Sequence, residues 1–197
     1  MWGGPELTAA VAALRAKTGV EAAPGGKHPE LGTHNAVAGL GRQRYLEVLA
    51  PDPTLPRGAM VRRLSALERP TFVTWAVRTT NAARVAARAE AAGFRADVVD
   101  GRRKQADGRV VRWTNVFVSG HGAGGLVPFF IEWHGTSHPS DDAPAGLRLH
   151  ALRAETPDAG ALRKVLAALD VRLPVRKGDG SRLVAVLDTP RGRVELT

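Results

Sequence analysis

Gly25-Gly26-Lys27-His28-Pro29-Glu30-Leu31-Gly32-Thr33-His34-Asn35, followed by Tyr45-Leu46-Glu47-Val48-Leu49-Ala50-Pro51-Asp52-Pro53, decides the fold. The first part reads as a Gly/Pro/His-rich loop. It feeds a β-hairpin of residues 34–40 and 44–49, whose second strand sets one carboxylate, Glu47, among apolar residues. An acid in that setting costs free energy unless a partner offsets it. Far downstream, Pro128-Phe129-Phe130-Ile131-Glu132-Trp133 repeats the arrangement. Two strand-borne glutamates in matching settings point to a duplicated scaffold.

Working outward, three segments have helical apolar spacing with start and stop signals. The first runs over 5–18, with Leu7, Val11 and Leu14 on one face and Gly19 as its stop. The second starts at Asn81 as N-cap and stops at Gly93. The third has Thr156 as N-cap and Pro157 at the first helical position. Corresponding points of successive helices lie 74–75 residues apart, and each helix is followed by a short strand and a hairpin. The later hairpins pair 110–118 with 127–133 and 183–188 with 193–196, and strands at 71–79 and 147–154 precede the second and third helices. The repeated unit is therefore strand–helix–strand–strand–strand. Too few residues precede the first helix for a full opening strand, so that strand is expected to be very short or absent. The bare sheet edge this implies argues for a homodimer, and a start placed too late explains the same gap.

The expected fold class is α+β: repeated βαβββ modules forming a curled mixed sheet around a cavity, with a third βαββ-like unit at the C-terminus. Residues 1–145 hold the paired modules, 1–58 and 68–134, and 146–197 form the C-terminal unit on the same domain. Turn-rich segments at 51–58 and 134–144 separate them.

Composition narrows the function classes. The chain has 197 residues, 44% hydrophobic and 24% charged, which is the balance of a globular protein. No apolar run approaches the roughly 20 residues of a bilayer span, and the first residues lack a signal-peptide pattern. With no cysteine there is no disulfide, thiolate nucleophile or Cys-ligated zinc site. A cytoplasmic protein without a membrane partner is expected. The net charge of +9 raises nucleic-acid binding as a minor alternative. The cations are mostly Arg and spread along the chain, and the densest group, Arg102-Arg103-Lys104, sits beside Asp100 and Asp107 in a hairpin turn. Gly120-His121-Gly122-Ala123-Gly124-Gly125 is followed by neither Lys-Ser/Thr nor a helix, so it is no phosphate loop.

The blocks GGKHPELGTHNAV, RYLEVLAPDP, GRRKQADGRVVRW, PFFIEW followed by HPS, and TPRGRVEL resemble the glyoxalase-like domain family of the vicinal-oxygen-chelate superfamily. The resemblance runs from about residue 5 to the C-terminus. It implies paired βαβββ modules around a shared cavity, which in the superfamily often holds a divalent metal. The implied ligands are a His near the start of each module's first strand and a Glu on its last strand. Glu47 and Glu132 match the carboxylates, whereas Thr74 stands at the second His position and the first would precede Met1. Two carboxylates alone favour a hard ion. Magnesium, manganese, nickel or zinc are the candidates, and a site without metal is the leading expectation.

The site residues follow. Glu47 and Glu132 are the candidate catalytic carboxylates. His34, Asn35, Tyr45, Trp75, Arg78, Arg103, Trp113, Phe130 and His138 are candidate ligand contacts, with Arg78 and Arg103 offering charge to an anionic group. Structural readings stand beside these. Glu47 and Glu132 would pair with Arg78 or Arg112. His34 and Asn35 would brace the Gly32-Thr33 turn, and the aromatic residues would be core. With the hairpin turn centred on Arg42-Gln43, Glu47 faces Ala38 and His34 shares its face about 13 Å away. The expected function is small-molecule binding in the cavity between the modules. The alternative is a lyase or isomerase of the glyoxalase type, with Glu47 or Glu132 as general base.

Overall fold

The computed structural model describes residues 1–104, 110–135 and 138–197, with backbone only for 103 and 104. Asp107 of the expected hairpin turn and the side chain of Arg103 lie outside the described residues. The chain forms two compact units. One comprises Met1–Val73, Pro139–Leu152 and Val184–Thr197, and the other Thr74–His138 and Arg153–Leu183. No described helix is long and apolar enough to cross a membrane.

The first sheet carries β1 (Trp2–Gly3), β2 (Ala23–His28), β3 (Thr33–Gly39), β4 (Tyr45–Pro51) and β5 (Thr71–Phe72), in the order β2-β3-β4-β1-β5. Helix α1 (Leu7–Thr18) starts where the Glu6 side chain accepts the amides of Thr8 at 2.7 Å and Ala9 at 2.6 Å. Those bonds hold the Glu6 carboxyl below its ordinary range. The helix ends at Gly19, in the left-handed region at φ 79°, whose amide returns to the Arg15 carbonyl. Ala10 and Leu14 bury against Ala36, Ala38, Leu46 and Val48 on one face of the sheet. Leu49, on the other face by alternation, packs with Val73 and with Leu64 of helix α2 (Ala59–Ser65).

Four expectations change here. The opening strand is very short, as expected, at two residues, but the bare edge inferred from it is not there. Strand β1 runs parallel to β4, with Trp2 opposite Val48 and Gly3 opposite Leu49, and β5 covers its far side. Gly25 to His28, expected as loop, belong to β2 and pair with β3 from Ala23 opposite Val37 to His28 opposite Thr33, with an irregularity at Pro24/Gly26. Helix α2, not expected, follows the turn-rich segment. Glu47 faces Val37 rather than Ala38, because the turn holds three residues, Gly41-Arg42-Gln43, closed by Leu40 N–H to the Arg44 carbonyl at 2.9 Å. One residue of register moves His34 to the opposite face from Glu47.

The second sheet repeats the plan. Strands β6 (Ala76–Arg78), β7 (Arg95–Lys104), β8 (Val110–Ser119) and β9 (Phe129–His134) lie in the order β6-β9-β8-β7, with β6 parallel to β9. Helix α3 (Ala82–Ala91) is capped by Asn81, whose side chain accepts the Arg84 amide at 2.8 Å. The expected single strand over 71–79 is divided between β5 and β6, which pair in different sheets.

The third sheet holds β10 (Arg148–Thr156), β11 (Val175–Lys177), β12 (Arg182–Thr189) and β13 (Gly192–Leu196), with helix α4 (Ala159–Ala168) after β10. Its chain order is βαβββ, one strand more than expected, but its strand order is β11-β10-β12-β13. The first strand of this unit pairs in parallel with the second, whereas in the other two it pairs with the last. Asp158, not Thr156, caps α4, accepting the Ala161 amide at 3.2 Å. Three separate sheets, none closed into a barrel, make the α+β fold of repeated βαβββ modules.

Candidate functional site

The β2–β3–β4 strands build a polar site around Glu47. Strand alternation puts His28, Thr33, Asn35, Tyr45 and Glu47 on one face, the face opposite α1. Glu47 is only 9% exposed. Asn35 Nδ2 donates to Glu47 Oε1 at 2.6 Å, and Asn35 Oδ1 accepts the Gly26 amide at 2.7 Å. Both ends of the Asn35 amide are thus engaged, which fixes its orientation. Glycine at position 25 is a condition of this arrangement, since a Cβ there would lie 2.1 Å from Asn35 Oδ1.

His28 completes the site. Its Nδ1 is 3.1 Å from Thr33 Oγ1, and its Nε2 is 3.7 Å from Glu47 Oε1. That second distance is ion-pair range rather than a hydrogen bond. Among the described residues Glu47 Oε2 takes no hydrogen bond, but the Met1 amino group, its pKa pushed down to about 6 by burial, lies within electrostatic reach of the Glu47 carboxylate.

The α1 face of the same hairpin carries a different cluster. Asp52 is 4% exposed. Its Oδ1 accepts from Thr54 Oγ1 at 2.6 Å and the Thr54 amide at 2.8 Å. Lys27 Nζ lies 2.9 Å from Oδ2 and also donates to Thr54 Oγ1 at 2.8 Å, while His34 Nδ1 lies 3.8 Å from Oδ2. The Thr54 hydroxyl, then Lys27, then the Thr54 amide hold the Asp52 carboxyl well below the usual carboxylate range. His34 therefore belongs to Asp52 and not to Glu47. Neither His34 nor Asn35 braces the Gly32-Thr33 turn as expected. Asn35 reaches across to Gly26, and its alternation partner points to Asp52.

Glu132 is placed otherwise. Its Oε2 accepts the Ala82 amide at 2.7 Å, one of the open N–H groups at the start of α3. Glu132 and Phe130, which is 3% exposed, share that helix-side face of the second sheet. The opposite face carries Trp113, Trp133 and, from β6, Arg78 opposite Ile131. The Trp113 and Trp133 rings lie 5.5 Å apart, and His138 meets Trp133 edge-on at 5.3 Å. Trp75 Nε1 donates to the Leu126 carbonyl at 2.9 Å, a bond that ties two segments of the second unit.

The structure thus brings Asn35 to Glu47, with Tyr45 two residues along the same strand face, and gathers Trp113 and His138 around Trp133. Sequence reasoning missed His28, Lys27 and Asp52 as members of paired clusters. The alternation of Lys27-His28 against Thr33-His34 was the signal, and it becomes readable once 23–28 is a strand.

The implied metal fails on the donor set. Around Glu47 the first sheet supplies one carboxylate and one imidazole, and among the described residues no group of three or more His, Asp or Glu side chains is placed to hold a metal ion. No step is derived through a metal.

With this geometry in hand, the similarities of the chain are informative. Residues 1–169 match the family described as glyoxalase-like domain. No curated protein matches. Among solved structures, a hypothetical protein from Staphylococcus aureus superposes with a TM-score of 0.62 at 12% identity, over 83% of this chain and 79% of that one. A Streptomyces coelicolor methylmalonyl-CoA epimerase variant in complex with 2-nitronate-propionyl-CoA superposes at 0.50 and 20% identity, over 68% of this chain and 94% of that one. Methylmalonyl-CoA epimerase in complex with methylmalonyl-CoA and NH4+ gives 0.50 and 20%, over 70% and 94%. At these identities the structural likenesses speak to fold. The match over 1–169 shows that the chain belongs to the glyoxalase-like domain family.

Proposed function

We propose that this chain binds a small organic molecule at the Glu47 face of its first sheet, beside the part that α2 covers, with Glu47 as the polar group that meets it. The observation that carries this reading is the half-engaged Glu47 carboxylate. Asn35 holds one oxygen, the other takes no hydrogen bond among the described residues, and the residue is almost entirely shielded from water, with His28 and the Met1 amino group as its charged neighbours. A shielded carboxylate with one oxygen left without a donor supports a binding role. Small-molecule sites combine apolar walls with a few placed polar groups, and Leu49, Val37 and Tyr45 around Glu47 supply the former. In this reading the two βαβββ modules are the binding scaffold, residues 146–197 support it, and the protein works in the cytoplasm. The cations are dispersed in separate ion pairs, such as Arg15 with Glu21, Arg88 with Asp170, and Arg153 and Arg182 with Glu155. That dispersal favours a small ligand over nucleic acid.

A second reading, an isomerase acting on a carbon acid, is favoured by His28. Glu47 Oε2 would take the proton next to a carbonyl, and His28, close to the other oxygen, would carry or return it. The likeness to methylmalonyl-CoA epimerase supports a thioester as the first compound to try. The test is proton NMR with methylmalonyl-CoA in deuterated water. Saturation transfer without α-deuteration, lost in Glu47→Gln, supports binding. Glu47-dependent α-deuteration supports the isomerase. Binding or exchange that survives Glu47→Gln overturns both readings of this residue.

A further inference from the structure

One row of the second sheet sets like charges against each other. Arg102 of β7 stands directly opposite Arg112 of β8, and Arg112 opposite His134 of β9. Opposed side chains have Cβ atoms about 4.5–5.5 Å apart, and like charges at that spacing are destabilising. All three residues are exposed. They share the sheet face that carries α3 and lie beyond the start of that helix. Glu132, one step back along this face of β9, takes the opening Ala82 amide, and the helix runs from there back to the start of β7. The positive end of the helix dipole adds to the field at the row.

The acids beside the row are committed elsewhere. Asp100 Oδ1 accepts from Thr114 Oγ1 at 2.6 Å, and Glu132 rests on the Ala82 amide rather than on Arg112. The single hydroxyl proton of Thr114 goes to Asp100, so in the 2.8 Å contact with His134 it is Nε2 that donates. The guanidinium groups of Arg102 and Arg112 find no partner among the described residues. The third sheet shows what such a pair of arginines ordinarily holds. Arg148 and Arg193 bracket the Asp188 carboxylate, and Arg153 and Arg182 bracket that of Glu155. The row in the second sheet has the two cations without the anion.

We propose that Arg102 and Arg112 anchor the phosphate group of a small phosphorylated molecule, which takes the place that a carboxylate fills in the third sheet. Two opposed guanidinium groups call for two negative charges, and a phosphate monoester carries about −1.5 to −2 at pH 7. Its terminal oxygens accept from two planar forks at once. The partner is a small molecule and not a nucleic acid. The cations form a single row across the strands, while Asp97 and Asp100 along β7 oppose a polyanion that follows the edge. The proposal stands independently of the Glu47 reading.

NMR of the arginine side chains tests it, with inorganic phosphate titrated against chloride at constant ionic strength. Saturable shifts of the Arg102 and Arg112 Nε–H signals are expected with phosphate and not with chloride. Arg102→Gln or Arg112→Gln should weaken phosphate binding at least about tenfold, since each removes charge-assisted bonds. Each change also ends the opposition, so the variant's melting temperature in phosphate-free buffer should equal or exceed that of the wild type. Arg42→Gln, at another exposed arginine, should leave binding unchanged. Phosphate shifts that do not saturate, that chloride reproduces, or that survive both Gln variants overturn the proposal, as does a lower melting temperature in both. A short DNA duplex that displaces phosphate from these arginines with a steep salt dependence also overturns it, and would assign the row to nucleic acid.

Discussion

The first and second sheets share a strand order and each carries a glutamate on the last strand of its module, yet the two glutamates do different things. Glu47 lies on the face away from α1, held at one oxygen by Asn35 and faced by His28. Glu132 lies on the face towards α3 and accepts the amide that opens that helix. The difference comes from parity. Along β4 the residues that face α1 are Leu46 and Val48, each one residue from Glu47, whereas along β9 the residue that shares the α3 face with Glu132 is Phe130, two residues away. A duplicated scaffold preserves topology without preserving which side chain faces where. On the proposed reading one copy uses its carboxylate to bind, and the other uses it to start a helix.

The comparison breaks most readily at Gly25. Gly25→Ala drives a Cβ into Asn35 and should cost about 3 kcal/mol, by overpacking and by releasing Asn35 from Gly26 and Glu47. Denaturant unfolding reads the loss, and ligand binding should fall with it. Asn35→Ala leaves Gly25 undisturbed but strips Glu47 of its donor. A loss of about 1–3 kcal/mol is expected, measured in the same way. No corresponding change in the second sheet should affect Glu132, which rests on a backbone amide.

The opposite face of the first hairpin gives the smallest effect. Because the Asp52 carboxyl in the folded chain is held below its ordinary range, the unfolded chain takes up that proton first as pH falls. The stability Asp52 contributes is complete above the ordinary aspartate range and is lost as pH falls through it towards the depressed value. Asp52→Asn should flatten that acid limb in a series of unfolding curves, leaving Glu47-dependent binding in place. An unchanged acid limb in the variant would remove Asp52 from the account.

Much of this architecture was legible in the sequence. The α1 and α3 boundaries came from Gly19 and Asn81, and the βαβββ repeat from spacing. The site was half legible. Glu47 and Asn35 stood out, but their partnership depended on a three-residue turn that shifts the register by one. Residues 23–28 have the composition of a loop, and only pairing with β3 makes them a strand. His28 was hidden for that reason. Helix α2 was masked by the Pro/Gly-rich segment before it and is too short for a periodic pattern. The third unit's altered strand order has no local signature, since pairing partners are set by tertiary packing.

Equilibrium unfolding of Glu47→Gln beside Glu132→Gln tests the central claim most directly. Both changes remove a charge and keep the shape. Loss of the charge at the α3 start should lower stability by about 0.5–1 kcal/mol. At the half-engaged site Gln keeps an acceptor for Asn35 and relieves a shielded charge, so Glu47→Gln should equal or exceed the wild type in stability. A larger loss for Glu47→Gln than for Glu132→Gln would contradict the assignment of Glu47 to function and Glu132 to structure.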